Sequence, residues 1–237
     1  MAVLVFGAGG GLGQALVQEL LTAGVTDQVI AITRQPKSAA TSGAGIEHHQ
    51  VADYSEESLQ AVLSGIKEPV TGVLSTVGVL HTNDYMPEKR LAEVNAKQLA
   101  ENFAVNATLP LLLMQQSLPL MDRKAPGFWV QLSAMVGSAT NNYLGGWYSY
   151  RASKAALNML LKTASIELRR THKKLTVAAI HPGTTDTQLS APFQERISEG
   201  KLYTPAESAE RIVQVIQNLN PDNSGKLWHW NGEELPY

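Results

Sequence analysis

Cysteine is missing from all 237 residues, which excludes disulfides, thiolate nucleophiles and sulfur-ligated metals. A charge excess is missing too: 19 basic against 21 acidic side chains leave −2. No phosphate-tracking basic surface therefore points to nucleic acid or an anionic membrane as partner, and small molecules or proteins remain. Long apolar runs are also absent. Residues 1–18 and 125–150 are uncharged, but the first holds five glycines between Gly7 and Gly13 and the second contains Gln131, Asn141 and Asn142. Neither suits hydrocarbon, and with no basic stretch ahead of the first the expectation is a soluble, cytoplasmic protein.

What is present is an alternation of short β-branched runs with helical patterns. Residues 2–6 are apolar; the glycines follow, and then Leu12, Leu16, Val17, Leu20 and Leu21 recur at helical spacing up to Gly24. Further strands are expected near 29–33, 46–51, 72–76, 128–133, 177–181 and 226–230. This sets up an α/β, Rossmann-like, doubly wound parallel sheet of about seven strands with helices on both faces. Eleven residues between Arg34 and Ile46, with Pro36, Gly43 and Gly45, leave little room for a helix in the second crossover. Long helical patterns cover 93–121, interrupted by Pro110 and Pro119, and 149–170, which is apolar nearly all round. A final helix is expected over 205–218. The polar stretch 184–203 reads as a mobile loop beside the sheet's working edge. No linker or repeat divides the chain, so one domain spanning 1–237 is expected.

Three groups of residues carry chemistry. Gly7, Gly11 and Gly13 fit G-x-x-x-G-x-G between the first strand and first helix, although leucine at position 12 breaks the strict G-x-G-x-x-G. Backbone without Cβ lets a pyrophosphate approach the amides and dipole of the following helix; a tight turn without ligand is the alternative. About twenty residues later, where a dinucleotide fold places a carboxylate for the ribose of NAD, stand Thr33 and Arg34. A guanidinium suits a 2′-phosphate, so NADP(H) is preferred over NAD(H) unless Arg34 is a plain surface arginine. Tyr150 and Lys154 are four apart on one helical face. An ammonium about 5 Å from a phenol favours phenolate by roughly 3 kcal/mol at a dielectric near 20, which would bring the phenol to about 8. Such pairs also arise by chance.

Together these residues resemble the short-chain dehydrogenase/reductase family over essentially the whole chain. Tyr150-Arg-Ala-Ser-Lys154 is similar to its Y-x-x-x-K motif and Gly7 to Gly13 to its cofactor loop, including Gly9, Gly10 and Leu12. Ser75-Thr76-Val77-Gly78 stands where N-N-A-G is usual, Asp53 with Tyr54 where the adenine is met, and Asn106 at the helix asparagine of the catalytic tetrad. The segment from His181 through Pro182, Gly183, Thr184, Thr185 and Thr187 resembles the one that holds the nicotinamide amide. Gly145 to Lys154 and the Leu-Pro-Tyr ending are similar to the C-factor and sniffer branch of carbonyl reductases. The resemblance implies hydride transfer between nicotinamide and a carbonyl, with Tyr150 exchanging the proton. Lys154 would hold the ribose and lower the tyrosine's pKa, and Asn106 would keep a water in a proton relay. A homodimer or homotetramer is implied as well.

One position departs from the pattern. The catalytic serine is the second residue of S-S-x-x-G, and here the segment is Ser133-Ala134-Met135-Val136-Gly137. Ser138 is the first candidate substitute, against an ordinary turn hydroxyl; Ser133 is expected to meet the cofactor through its backbone. His48 and His49 face opposite ways on a strand, and His81, His172, His181 and His229 show no ligand spacing, so no metal is expected. Asn106-Ala-Thr108 fits a glycosylation sequon, which the catalytic reading of Asn106 displaces. Against the reductase stand a nucleotide-binding signalling protein, motivated by Ala134, and a methyltransferase, which has no use for Tyr150 and Lys154.

Overall fold

The computed structural model describes all 237 residues. Its elements run β1 (Ala2–Phe6), α1 (Gly11–Thr22), β2 (Gln28–Thr33), β3 (Ile46–Gln50), α2 (Glu56–Leu63), β4 (Val70–Ser75), α3 (Ala96–Phe103) and α4 (Leu109–Ser117). They continue with β5 (Gly127–Leu132), α5 (Tyr148–Thr171), β6 (Leu175–His181), β7 (Thr184–Thr185), β8 (Leu202–Tyr203), α6 (Pro205–Gln217), β9 (Lys226–His229) and β10 (Glu234–Leu235).

Eight strands form the main sheet in the order β10-β9-β6-β5-β4-β1-β2-β3, one more than the sequence suggested. The addition is β10, a two-residue antiparallel edge paired through Glu234 with Trp228 and Leu235 with Leu227. All other pairings are parallel. Strands buried on both faces read as continuous apolar runs, which is why Ala2–Phe6 has no polar alternation. Leu4 and Phe6 face Leu59 of α2, Leu113 of α4 and Leu157 and Leu161 of α5. Val3 and Val5 face the opposite layer, with Leu16, Val17 and Leu20 of α1 and Ile212, Val213 and Ile216 of α6. Chain order reverses between β1 and β4, so the crevice at their carboxyl ends is where ligands bind in such sheets.

The second crossover holds only a single 3₁₀ turn, Ala39–Thr41, as its glycines and short length dictate. The 93–121 pattern begins later than expected, at Ala96, where the Asn95 side chain accepts the Gln98 N–H. It continues through a π turn, Ala104–Thr108, into α4 and a closing 3₁₀ turn. Pro110 has no N–H to offer the Asn106 carbonyl four residues earlier, and the widened turn accommodates the loss. The 184–203 stretch is more structured than a plain loop. β7 and β8 pair at its two ends, and a 3₁₀ helix, Ala191–Arg196, lies between them.

Candidate active site

The glycine turn opens the crevice. Gly7, at φ 78, donates its N–H to the Tyr54 hydroxyl at 3.0 Å. A Cβ on Gly13 would lie 2.2 Å from the Gly7 carbonyl oxygen, so only glycine lets α1 start this close to β1. Gly9 lies against the Thr33 side chain, and Gly11 against the methyl of Thr187, where a Cβ would come within 3.3 Å. The entry to 184–203 thus folds over the glycine turn. The amides of Gly11, Leu12 and Gly13 have no protein acceptor; Gly10 caps α1 without a side chain, and no acid sits in the first turn. These features fit a dinucleotide's pyrophosphate at the helix N-terminus. Arg34 is exposed, belongs to no ion pair, and holds its guanidinium 5.9 Å from the Tyr54 ring centroid. Asp53 is committed elsewhere: its carboxylate accepts the Ser55 N–H at 2.9 Å and hydroxyl at 2.5 Å, which holds it below the usual carboxylate range.

The strand ends supply the next wall. Thr76 hydrogen-bonds the Phe6 and Gly7 carbonyls, Ser75 accepts the Val77 N–H, and Gln131 donates to the Val77 carbonyl. A Cβ on Gly78 would be 3.4 Å from both Asn106 Oδ1 and Lys154 Nζ, so those two groups converge there. Asn106 is fully buried. Its amide spans the Val79 backbone N–H and C=O, each at 2.8 Å, and reaches Ser153 Oγ at 3.0 Å, tying the end of β4 to α5. Ser133 donates to Asn158 at 2.7 Å, which turns its hydroxyl into α5.

Tyr150 and Lys154 both lie on the buried side of α5. Lys154 Nζ donates to the Leu132 carbonyl at 3.0 Å and sits 5.9 Å from the Tyr150 ring centroid. From the four-residue spacing alone, the ammonium would lower the phenol to about 8. Instead, burial pushes the Tyr150 phenol up and lowers the Lys154 ammonium to about 7. Spacing fixes how close two groups come but not how dry their surroundings are, and here loss of hydration outweighs mutual attraction.

Leu80, Ala134 and Tyr150 form a small apolar cluster with Val136, Trp147 and Phe193 packed against it. Trp147 meets Tyr150 edge-on at 6.1 Å and Phe193 at 5.0 Å, while His81 contacts Phe193 at 5.9 Å and approaches the Gln188 carbonyl at 3.2 Å. Ala134 therefore presents its methyl to the tyrosine. Ser138 is buried and its Oγ accepts the Asn141 N–H at 3.2 Å, leaving the hydroxyl proton uncommitted. Trp147 was not foreseen, whereas Phe193 lies in the 184–203 stretch expected beside the sheet's working edge. Trp147's place in Gly145-Gly-Trp-Tyr-Ser-Tyr150 was the only local signal for it.

At the far end, Gly183 has φ 77, and a Cβ there would lie 2.9 Å from the Trp230 indole. Thr185 is turned away from the crevice, its hydroxyl 2.8 Å from Ser208 of α6. His181 and His229, in register on β6 and β9, bring their rings to 5.5 Å, a meeting their sequence separation concealed. Burial and the neighbouring ring lower His181 to about 3.

A sequence profile describing the short chain dehydrogenase family matches residues 1–198. The C-signal of Myxococcus xanthus is 32% identical over 147 residues, which span 62% of this chain and 83% of that protein. An NADPH-bound carbonyl reductase from chicken fatty liver, 25% identical, superposes with a TM-score of 0.83 over 100% of this chain and 98% of its own. The carbonyl reductase Sniffer of D. melanogaster shares the fold at TM-score 0.85 and 21% identity, over 100% and 99% of the two chains.

Proposed function

The chain belongs to the short-chain dehydrogenase family, and from that premise we propose that it reduces a carbonyl to a secondary alcohol with NADP(H), using Tyr150 as the proton donor. The observation that carries this reading is the dry, apolar setting of Tyr150 beside Lys154. A phenol raised by burial keeps its proton at neutral pH, the state a donor requires. When bound, the reduced nicotinamide supplies hydride to the carbonyl carbon. Tyr150 gives its proton to the carbonyl oxygen, and the phenolate left behind favours the charged form of Lys154, whose ammonium then offsets it. Asn106 fixes the wall on which Lys154 rests. The glycine turn's amides and the unpaired Arg34 hold the phosphates, with preference for a 2′-phosphate.

Ser138 takes the position of second donor, because its hydroxyl proton is free and the Gly137 before it packs on the Lys154 backbone, where a Cβ would come within 2.9 Å. Leu80, Val136, Trp147 and Phe193 exclude water and favour an apolar carbonyl compound. Exposed Leu112 on α4 and Met159 and Ile166 on α5 offer a face for a second copy, which light scattering would register.

The test is NADPH oxidation over a panel of ketones, α-diketones and quinones by wild type and Tyr150→Phe. The reading expects turnover to fall by roughly 10²- to 10⁴-fold with NADPH affinity intact. Undiminished turnover by the variant would remove Tyr150 from the mechanism. A second reading, a dinucleotide-binding signalling protein with little catalysis, is favoured by the Ala134 methyl against Tyr150 and by likeness to the C-signal. It expects NADPH to bind while the whole panel stays unreacted.

A further inference from the structure

Glu88 belongs to none of the cofactor or catalytic motifs; it lies in the segment between β4 and α3 and is only 2% exposed. It belongs to none of the ion pairs. Its carboxylate instead receives the start of α5 from 61 residues away. The Ser149 N–H reaches Oε1 at 3.3 Å and Oε2 at 3.2 Å, and the Ser149 hydroxyl also donates to Oε1. The Glu88 backbone carbonyl accepts the Trp147 N–H.

This grip falls on an unusual turn. Trp147 is the chain's single non-glycine residue at positive φ, 51°, following Gly145 at 63° and Gly146 at 64°. Such a conformation is unfavourable for a bulky side chain and persists only where surroundings enforce it. The first turn of α5 has no acidic residue and Trp147 gives no side-chain cap, so Glu88 supplies the acceptor and the negative charge from another segment. An exposed serine or aspartate would cap a helix without burying a carboxylate outside any ion pair, which is expensive. What Glu88 holds is more specific. Ser149 precedes Tyr150, and the Trp147 ring packs edge-on against the Tyr150 ring. The same segment is anchored on its other flank, where Val79 pairs with Asn106 and Gln98 donates to the Met86 carbonyl at 3.1 Å.

We propose that Glu88 is a positioning residue: its carboxylate locks the Trp147–Ser149 turn and thereby sets the Tyr150 hydroxyl and the Trp147 wall. This rests on Tyr150 being the proton donor, so Tyr150→Phe accompanies the test as a control. Glu88→Gln, Glu88→Ala and Ser149→Ala are assayed well below their melting temperatures with the panel's fastest carbonyl compound. Glu88→Ala should lower kcat on the order of 10²-fold, the scale of a 1 Å misplacement, with Glu88→Gln about tenfold down. NADPH affinity, measured by fluorescence, should stay at the wild-type value. Glu88→Gln and Ser149→Ala should combine less than additively, because they break one contact.

A crystal structure of Glu88→Gln gives a readout independent of turnover, with Trp147 leaving positive φ and the Tyr150 ring displaced. A lowered melting temperature with wild-type kcat and an unmoved Tyr150 would overturn the proposal and leave Glu88 a plain helix cap. If Tyr150→Phe stays active, the catalytic reading fails instead, and the Tyr150 displacement alone decides the role of Glu88.

Discussion

Replacing Lys154 with methionine tests how dry the site is. The ammonium titrates near 7 in the folded chain against an ordinary 10.5, because burial strips its hydration. Between those values the unfolded chain holds one proton that the folded chain has released. Stability therefore rises with pH across this window, by about 1.4 kcal/mol per pH unit, and is lost again as pH falls toward 7. Over about two units, from pH ~7.5 to ~9.5, the wild type should gain about 3 kcal/mol relative to Lys154→Met, which lacks the group. For a chain of this length that is a Tm difference widening by roughly 5–10 °C. Tyr150 does not confuse the measurement: its raised phenol affects stability only above its ordinary value of 10, with the opposite sign. Scanning fluorimetry of both proteins across the window suffices. Parallel Tm profiles would mean the ammonium keeps its hydration, and the desolvation argument would fall.

Other perturbations bear on the remaining parts. Arg34→Glu should weaken NADPH binding by roughly 10- to 100-fold, the worth of a charge-assisted contact, and spare NADH; equal losses for both would unseat the 2′-phosphate assignment. Gly13→Ala drives a methyl to within 2.2 Å of the Gly7 carbonyl. Titration should show NADPH affinity falling at least about tenfold as the turn shifts off its ligand, whereas wild-type affinity would mean the phosphates bind elsewhere. Ser138→Ala should cost on the order of 10²-fold in kcat, and the double variant Ser138→Ala with Ala134→Ser should recover most of it; a full-speed single variant would return Ser138 to an ordinary turn hydroxyl.

The parallel sheet was legible because its strands are buried on both faces, so Val3, Leu4 and Val5 announce themselves without tertiary context. β10 was not, since Glu234 and Leu235 are too few to show a period. The π turn around Asn106 left its trace only as Pro110, read as an interruption rather than a widening. Within the site, the glycine turn and the Tyr150 to Lys154 spacing are local patterns, visible along the chain. Phe193, Trp147 and Glu88 come from segments far apart in sequence and meet only through the fold. The direction of the tyrosine's titration was missed for a related reason. Four-residue spacing gives proximity, while the Leu80, Ala134 and Trp147 side chains that dry the pair cannot be counted from it.

A crystal structure of the complex with NADPH and a slowly reduced carbonyl compound tests the central claim most directly. The account places the Tyr150 phenol oxygen at ~2.6–3.2 Å from the carbonyl oxygen, with the phosphates on the Gly11 to Gly13 amides. A carbonyl oriented away from Tyr150, or phosphates seated anywhere else, would contradict it.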